Sequence, residues 1–370
     1  MKYYIVAGEA SGDLHGANLM KTLKLLDANA DFRFFGGDSM QAQGGKLVKH
    51  YADMAFMGFL EVALNLRTIL KNIRFCKNDI LEYQTDVLIL IDFPGFNLKI
   101  AEFAKKKGIK VAYYISPKVW AWNQKRVLKI KRDIDKMFCI LPFEVDFYKK
   151  WGMQVEYVGN PLLDAIQDFT PNQNFKTERG LGNKKIIALL PGSRKQEIEH
   201  ILPVMLSVTS NFKDYQFIIA GAPSFKIDFY LPYVGDKNIP VVFNQTYDLL
   251  NNADAALVTS GTATLETALF KVPQVVLYKG NPISISIARF LVDIKFISLV
   301  NLIMDKGIVK ELIQENCNTS SLSKELDNIL FGVKKFEMLA NYEDLALLMG
   351  KPGASQKTAS LIYNYLKPTD

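Results

Sequence analysis

Short apolar runs alternate with amphipathic stretches along most of the chain. In the first half the runs are Tyr3–Ala7, Phe32–Phe35, Val87–Ile91, Val111–Ile115, Met137–Leu141 and Val155–Tyr157. Segments with helical spacing lie between them, as at Leu98–Lys107 and Asn123–Lys131. Strand–helix alternation of this kind predicts a parallel sheet with right-handed crossovers. Residues 169–184 (FTPNQNFKTERGLGNK) are polar, hold Pro and Gly, lack periodicity and read as a linker. A second series follows at Ile186–Leu190, Phe217–Ala220, Val241–Phe243, Ala255–Val258 and Gln274–Leu277, and after Pro282 the pattern turns mostly helical. The expected class is α/β, two Rossmann-like doubly wound units, residues 1–168 and 185–349, with a ligand cleft outside the carboxyl ends of their strands.

Composition narrows the setting. Apolar residues make up 49% and charged residues 22%, as in a soluble protein with full cores. Cys76, Cys139 and Cys317 show neither zinc nor disulfide spacing, so each reads as a small buried residue in a reducing compartment. The first residues resemble no signal peptide, and no run approaches the ~20 apolar residues of a spanning helix. The net charge of +7 is lopsided: residues 1–160 hold 24 Lys+Arg against 17 Asp+Glu, and the remainder is balanced at 21 and 21. A basic half suits nucleic acid, an anionic membrane, a phosphorylated substrate, or merely solvation.

Five motifs sit at strand ends. GEASGD (8–13) follows the first strand and opens a helix, so its small residues and free N–H groups admit a ligand. Glu9, Ser11, Gly12 and, one turn on, His15 are its candidate contacts, against the plain alternative of a tight turn. It is not GxGxxG, which argues against a nicotinamide cofactor. IDFPGFN (91–97) places Asp92 where a carboxylate could take a proton from a sugar hydroxyl, or else cap the next helix. SPKVWAWNQKR (116–126) offers Lys118, Trp120 and Arg126, with aromatic faces for sugar or acyl chains and cations for phosphate. As one short cluster it makes a poor nucleic-acid surface, and no such partner is expected. LPGSR (190–194) supplies Gly192, Ser193 and Arg194, a turn and a planar fork suited to a diphosphate. TSGTATLE (259–266) brings Ser260, Gly261, Thr262 and Ala263 to a helix start, with Glu266 placed to accept ribose hydroxyls.

Weaker signals are the DxD spacing Asp133–Asp135, flanked by cations and better read as paired surface acids, and the scattered His50 and His200. No metal-ligand spacing is present. In Met57–Phe75, Leu60, Ala63, Leu66, Ile69, Leu70 and Ile73 form an apolar stripe beside Arg67, Lys71, Arg74 and Lys77. That pattern fits a helix in a membrane interface and also a core-facing helix.

Taken in order, these motifs resemble the lipid-A-disaccharide synthase family, together with GGDSM (36–40), MGFLEV (57–62), ILPFE (140–144), YVGNPL (157–162) and ISLVNL (297–302). The resemblance covers nearly the whole chain. It implies the two-Rossmann-domain glycosyltransferase architecture called GT-B, with a carboxyl-terminal helix (about 350–370) crossing back to the first domain. It implies inverting transfer of 2,3-diacylglucosamine from UDP-2,3-diacylglucosamine to 2,3-diacylglucosamine 1-phosphate, giving the β-1,6 disaccharide of lipid A without metal or cofactor. It further implies peripheral attachment to the cytoplasmic face of a bacterial inner membrane, and a homodimer is known among relatives. By this resemblance Asp92 matches the essential acid of the ID-x-P motif, Arg194 that of PGSR, Glu266 that of SGTA-x-LE and Asn301 that of SLPN. Gly95 stands where many members carry a second acid, which leaves Asp92 as the base. Val300 and Lys310 replace two prolines common in the family. The rivals are another GT-B UDP-sugar transferase, a UDP-sugar 2-epimerase, whose histidine motifs are not found, and a silent UDP-sugar- or lipid-binding protein.

Overall fold

The computed structural model describes residues 1–54, 65–237, 239–280 and 295–367. They form two units, Met1–Gln167 with the segment from Lys351 onward, and Asp168–Gly350. The first unit is built on strands β1 (Lys2–Ala7), β2 (Asp31–Gly36), β3 (Lys46–His50), β4 (Val87–Ile91), β5 (Lys110–Tyr114), β6 (Lys136–Cys139) and β7 (Glu156–Tyr157). All pair in parallel, in the order β3-β2-β1-β4-β5-β6-β7. Successive side chains of a strand serve opposite faces. Tyr4, Val6, Leu88 and Leu90 therefore enter one core, while Tyr3, Ile5, Val87 and Ile89 enter the other. Because both faces are covered, the central strands carry unbroken apolar runs.

The helix Ala354–Leu366 completes this unit, as the resemblance implies. Ala359 and Ile362 are buried with Leu19 and Leu23 of the helix Ala10–Leu26. Lys357 Nζ donates to Tyr157 O (2.6 Å), and Gly353 N–H donates to Asp164.

The second unit contains β8 (Lys185–Leu190), β9 (Tyr215–Gly221), β10 (Val241–Phe243), β11 (Ala255–Thr259), β12 (Gln274–Tyr278) and β13 (Lys310–Ile313). They too are all parallel, in the order β10-β9-β8-β11-β12-β13. In each sheet the strand order reverses once, between β1 and β4 and between β8 and β11. Those reversals are the topological switch points at which open α/β sheets bind ligands.

Two features depart from the sequence reading. Strands β3 (KLVKH) and β13 (KELI) are additional; both lie at sheet edges, where charge replaces the apolar run. Residues 169–184 are no linker. Phe175 is fully buried and Leu181 nearly so, in the core under β8, and Arg179 lies over the Phe175 ring at 4.2 Å. Two anchors set six residues apart leave no periodic trace. Of the stripe in Met57–Phe75, positions 57–64, with Leu60, Ala63 and the MGFLEV motif, lie outside the described residues. The helix Leu66–Glu82 carries the rest: Ile73, Cys76 and Ile80 reach the core, while Leu66 and Leu70 are half exposed. All three cysteines are free and buried.

Candidate functional site

In the first unit Ala7 pairs with Ile91, so GEASGD and the Asp92 turn emerge side by side at the switch point. Gly12 allows the helix to settle on both strands, since a Cβ there would stand 3.2 Å from that of Ala7. The turn is tightly determined. Asp92 and Phe93 both adopt left-handed backbone (φ +44° and +48°), a conformation Asp tolerates and Phe rarely takes. The buried Asn97 amide holds it by donating to Val6 O (3.3 Å), Ile91 O (3.2 Å) and Asp92 O (2.8 Å). Tyr113 Oη also donates to Asp92 O. The Phe93 ring occupies the space a side chain at position 8 would need, 2.3 Å from a Cβ built on Gly8. Burial, and after it Glu9, push the Asp92 carboxyl up to about 6, against the opposing Lys118 and Phe93 N–H. A carboxylate so tuned is suited to general-base work near neutral pH. Gly95 is exposed with open space around it, so a side chain would fit there.

The loop after β5 leaves through Ile115, a β-branched residue at φ +67°. Lys118 is exposed. Trp120 is 9% exposed, meets Phe143 edge-on (5.0 Å, 85°) and donates its Nε1–H to Glu144 (3.2 Å). The indole open to a ligand is instead Trp122, 51% exposed, with the Arg126 guanidinium 4.3 Å from its ring centre.

Glu9 is half-buried and Ser11 exposed at the start of the first helix, which no side chain among the described residues caps. Asp13 turns inward. Its Oδ1 accepts from Gly37 N (2.7 Å) and Met40 N (3.1 Å), its Oδ2 from Ser39 N (2.9 Å), and so GEASGD and GGDSM are one structural couple. The signal was the pairing of a buried-strand motif with a glycine-rich helix start, which no local pattern reveals. Asp13→Ala is expected to leave those N–H groups unpaired, at about 1 kcal/mol or more each, and to lower the melting temperature of the first unit by roughly 10 °C. An unchanged melting curve would remove this role. His15 is half-buried, edge-on to Tyr114 (6.4 Å), its buried Nδ1 without a partner among the described residues. Burial lowers its pKa to about 4, with Asp164 opposing, so the ring is neutral at pH 7.

In the second unit Leu190 pairs with Val258, which sets LPGSR beside TSGTATLE at the other switch point. Gly192 takes φ +106°, and a Cβ there would meet Glu197 Oε2 at 2.7 Å. Ser193 is exposed. Arg194 precedes the helix Lys195–Ser207; its side chain is 67% exposed and donates to Glu197 Oε1 (2.9 Å), a solvent-facing contact weak enough to exchange for a ligand. Ser260 Oγ donates to Ile297 O (2.8 Å). Gly261 and Thr262 are exposed and Ala263 half-buried at the start of the helix Thr262–Leu269, which no side chain among the described residues caps. The buried Thr259 Oγ1 has no partner among the described residues. Glu266 accepts from Tyr247 Oη (3.0 Å), and burial raises its carboxyl while that bond opposes. Asn301 is buried with its whole amide engaged, donating to Val309 O and Glu311 Oε1 (both 2.9 Å) and accepting from Ile308 N and Val309 N (2.8 and 3.0 Å).

Among the described residues no His, Cys, Asp and Glu side chains gather in a metal-sized group. Asp133 is taken by Arg132 (2.7 Å), and Asp135 by Val111 N (2.9 Å) and Lys105.

The family model described as lipid-A-disaccharide synthetase (LpxB) matches residues 3–362. A lipid-A-disaccharide synthase of Syntrophus aciditrophicus is 39% identical over 379 residues, covering 99% of this chain and 98% of its own. That of Trichlorobacter lovleyi is 36% identical over 374 residues, covering 98% and 97%. Among solved structures, a Methanocaldococcus jannaschii UDP-GlcNAc 2-epimerase in complex with UDP-GlcNAc and UDP aligns with TM-score 0.65 at 15% identity, over 99% of this chain and 100% of that one. A kitacinnamycin glycotransferase aligns with TM-score 0.65 at 13% identity, over 99% of both. At such identities these two structures speak to the fold alone, and that fold is GT-B.

Proposed function

The chain belongs to the lipid-A-disaccharide synthase family, and from that premise we propose how its residues divide the work. The family reaction moves 2,3-diacylglucosamine from UDP onto 2,3-diacylglucosamine 1-phosphate and releases UDP. In our reading the first unit receives the acceptor and the second holds the nucleotide.

The observation that carries this reading is the Asp92 turn, a carboxylate tuned to about 6 on a strained, heavily braced backbone at a switch point. Asp92 takes the proton of the acceptor's 6-hydroxyl. The oxygen's electron pair forms the bond to the donor's anomeric carbon, and the bond from that carbon to the UDP oxygen breaks with inversion. Charge growing on UDP is met by Arg194 and the N–H groups that open the Thr262–Leu269 helix. Glu266 receives ribose hydroxyl hydrogen bonds. Lys118, Arg126 and Trp122 lie on the acceptor side, where cations meet its phosphate and the indole an apolar face. Glu9, Ser11 and Gly12 shape the floor. His15, Trp120 and Asn301 act from within the fold, by holding the pieces that touch ligand.

Among the described residues no helix is long and apolar enough to cross a membrane. Half-exposed Leu66 and Leu70, next to exposed Arg67, Lys71 and Arg74, support peripheral attachment to an anionic bilayer, on its cytoplasmic face. The direct test is incubation with UDP-2,3-diacylglucosamine and 2,3-diacylglucosamine 1-phosphate, with UDP release followed over time. Release that depends on both acylated sugars is expected, and none at all would defeat the reading.

A further inference from the structure

The most deeply buried carboxylate among the described residues has no task in the transfer chemistry. Glu144, in the helix Phe143–Lys150, is 1% exposed. Its Oε1 accepts the Trp120 Nε1–H (3.2 Å) and its Oε2 the Leu141 N–H (3.1 Å). Four residues along the same helix, Tyr148 Oη shares a buried hydrogen bond with Ser116 Oγ (2.8 Å). One helix therefore grips the loop at residue 116 and at residue 120, and Lys118 stands between the grips with its side chain in solvent. The loop needs that hold, because it leaves β5 through Ile115 in a left-handed conformation that β-branched residues avoid. A carboxylate is the right clamp: both partners are N–H donors, and an amide in its place would turn an NH2 toward one of them.

Lys118 is the side-chain cation that opposes burial and Glu9 at Asp92. We propose that Glu144 is a positioning residue for the transfer: by holding Trp120 it fixes the loop that presents the Lys118 ammonium to Asp92, and so sets the protonation of the base. The proposal rests on the reading of Asp92 as that base.

The groups facing Asp92 are Glu9, Lys118, the Phe93 N–H and Tyr113. Those facing Glu144 are Trp120, Ser116, the N–H groups of Ile140 and Leu141, Cys139, Tyr148 and Tyr157. Burial raises Glu144 to about 7, against the hydrogen bonds it accepts. As pH falls through that value the clamp loses its charge and weakens. A displaced Lys118 leaves Asp92 with a higher pKa, so both effects push the acid limb of the rate profile upward in pH.

The test uses the whole enzyme with Glu144→Gln and, because that change alone can disturb folding, Trp120→Phe, which keeps the packing on Phe143 but loses the donor. Each is expected to lower kcat/KM at pH 7 about tenfold, a modest figure for a displaced catalytic neighbour, and to raise the acid limb by about half a pH unit or more. In a Lys118→Met background the limb is already raised, and Glu144→Gln adds no further shift. A limb that stays in place while the melting temperature falls, or an equal shift with Lys118 absent, overturns the proposal. Tryptophan emission separates the clamp from the chemistry: in the native enzyme it titrates with a midpoint near 7, and in Glu144→Gln it is flat. Emission that does not titrate refutes the clamp, whereas an active Asp92→Asn refutes the base and leaves this emission signal standing.

Discussion

Asp92→Asn is expected to cut disaccharide formation by about a thousandfold or more while UDP binds with near-native affinity. General-base removal costs about 10²–10⁴ in rate, and the neighbouring strain gives no compensating path. Asparagine is the right probe because it keeps the shape and, like aspartate, tolerates the φ of +44° that alanine would resist. The Asn97 and Tyr113 bonds run to the backbone oxygen, so they survive the change. In the native enzyme the base must be ionised, and with its carboxyl at about 6 the rate should fall as pH drops through that value. Near-normal turnover by Asp92→Asn, measured as UDP release at pH 7.5, would remove Asp92 as the base.

Arg194→Ala is expected to weaken UDP binding and to lower kcat, about 10²-fold together, as when one preorganised donor to a developing anion is lost. The guanidinium is two-thirds exposed and, among the described residues, tied only to Glu197, so no buried network falls with it. The fold should therefore keep its melting temperature, and lysine at the same position should restore only part of the loss, since a point charge lacks the planar fork. Calorimetric titration with UDP, alongside rates at saturating donor, decides the matter. An unchanged UDP affinity together with an unchanged kcat would exclude Arg194 from the nucleotide site.

The buried strands were legible because a sheet covered on both faces writes an apolar run; VLILI at 87–91 matches β4 residue for residue. The motifs at their ends were legible for a related reason, since small residues, a lone carboxylate or an arginine after such a run seldom serve packing. What stayed hidden depends on contacts between distant residues. KLVKH and KELI have too much charge to read as strands until their inner neighbours are known. Phe175 looks like one aromatic in a polar tract and is a core anchor. Trp120 and Trp122 look alike in sequence, yet Glu144, 24 residues from Trp120, draws that one inside and leaves Trp122 in solvent. Asp13 is likewise explained only by backbone groups 24 to 27 residues away.

The helix Ala354–Leu366 has a bearing on how the chain comes off the ribosome. Residues of the first unit lie on either side of the second in the sequence, and this helix fills part of the first unit's core. The sheet around Asp92 thus emerges first and is finished last. During synthesis of the intervening stretch, from Asp168 to Gly350, part of the apolar surface of the helix Ala10–Leu26 lacks its cover, and the core around Leu19 and Leu23 waits for Ala359 and Ile362. The second unit is contiguous and can close on its own meanwhile. A nascent chain stalled before residue 354 would hold a folded second unit and an unfinished first one, the state in which chaperone capture and aggregation compete.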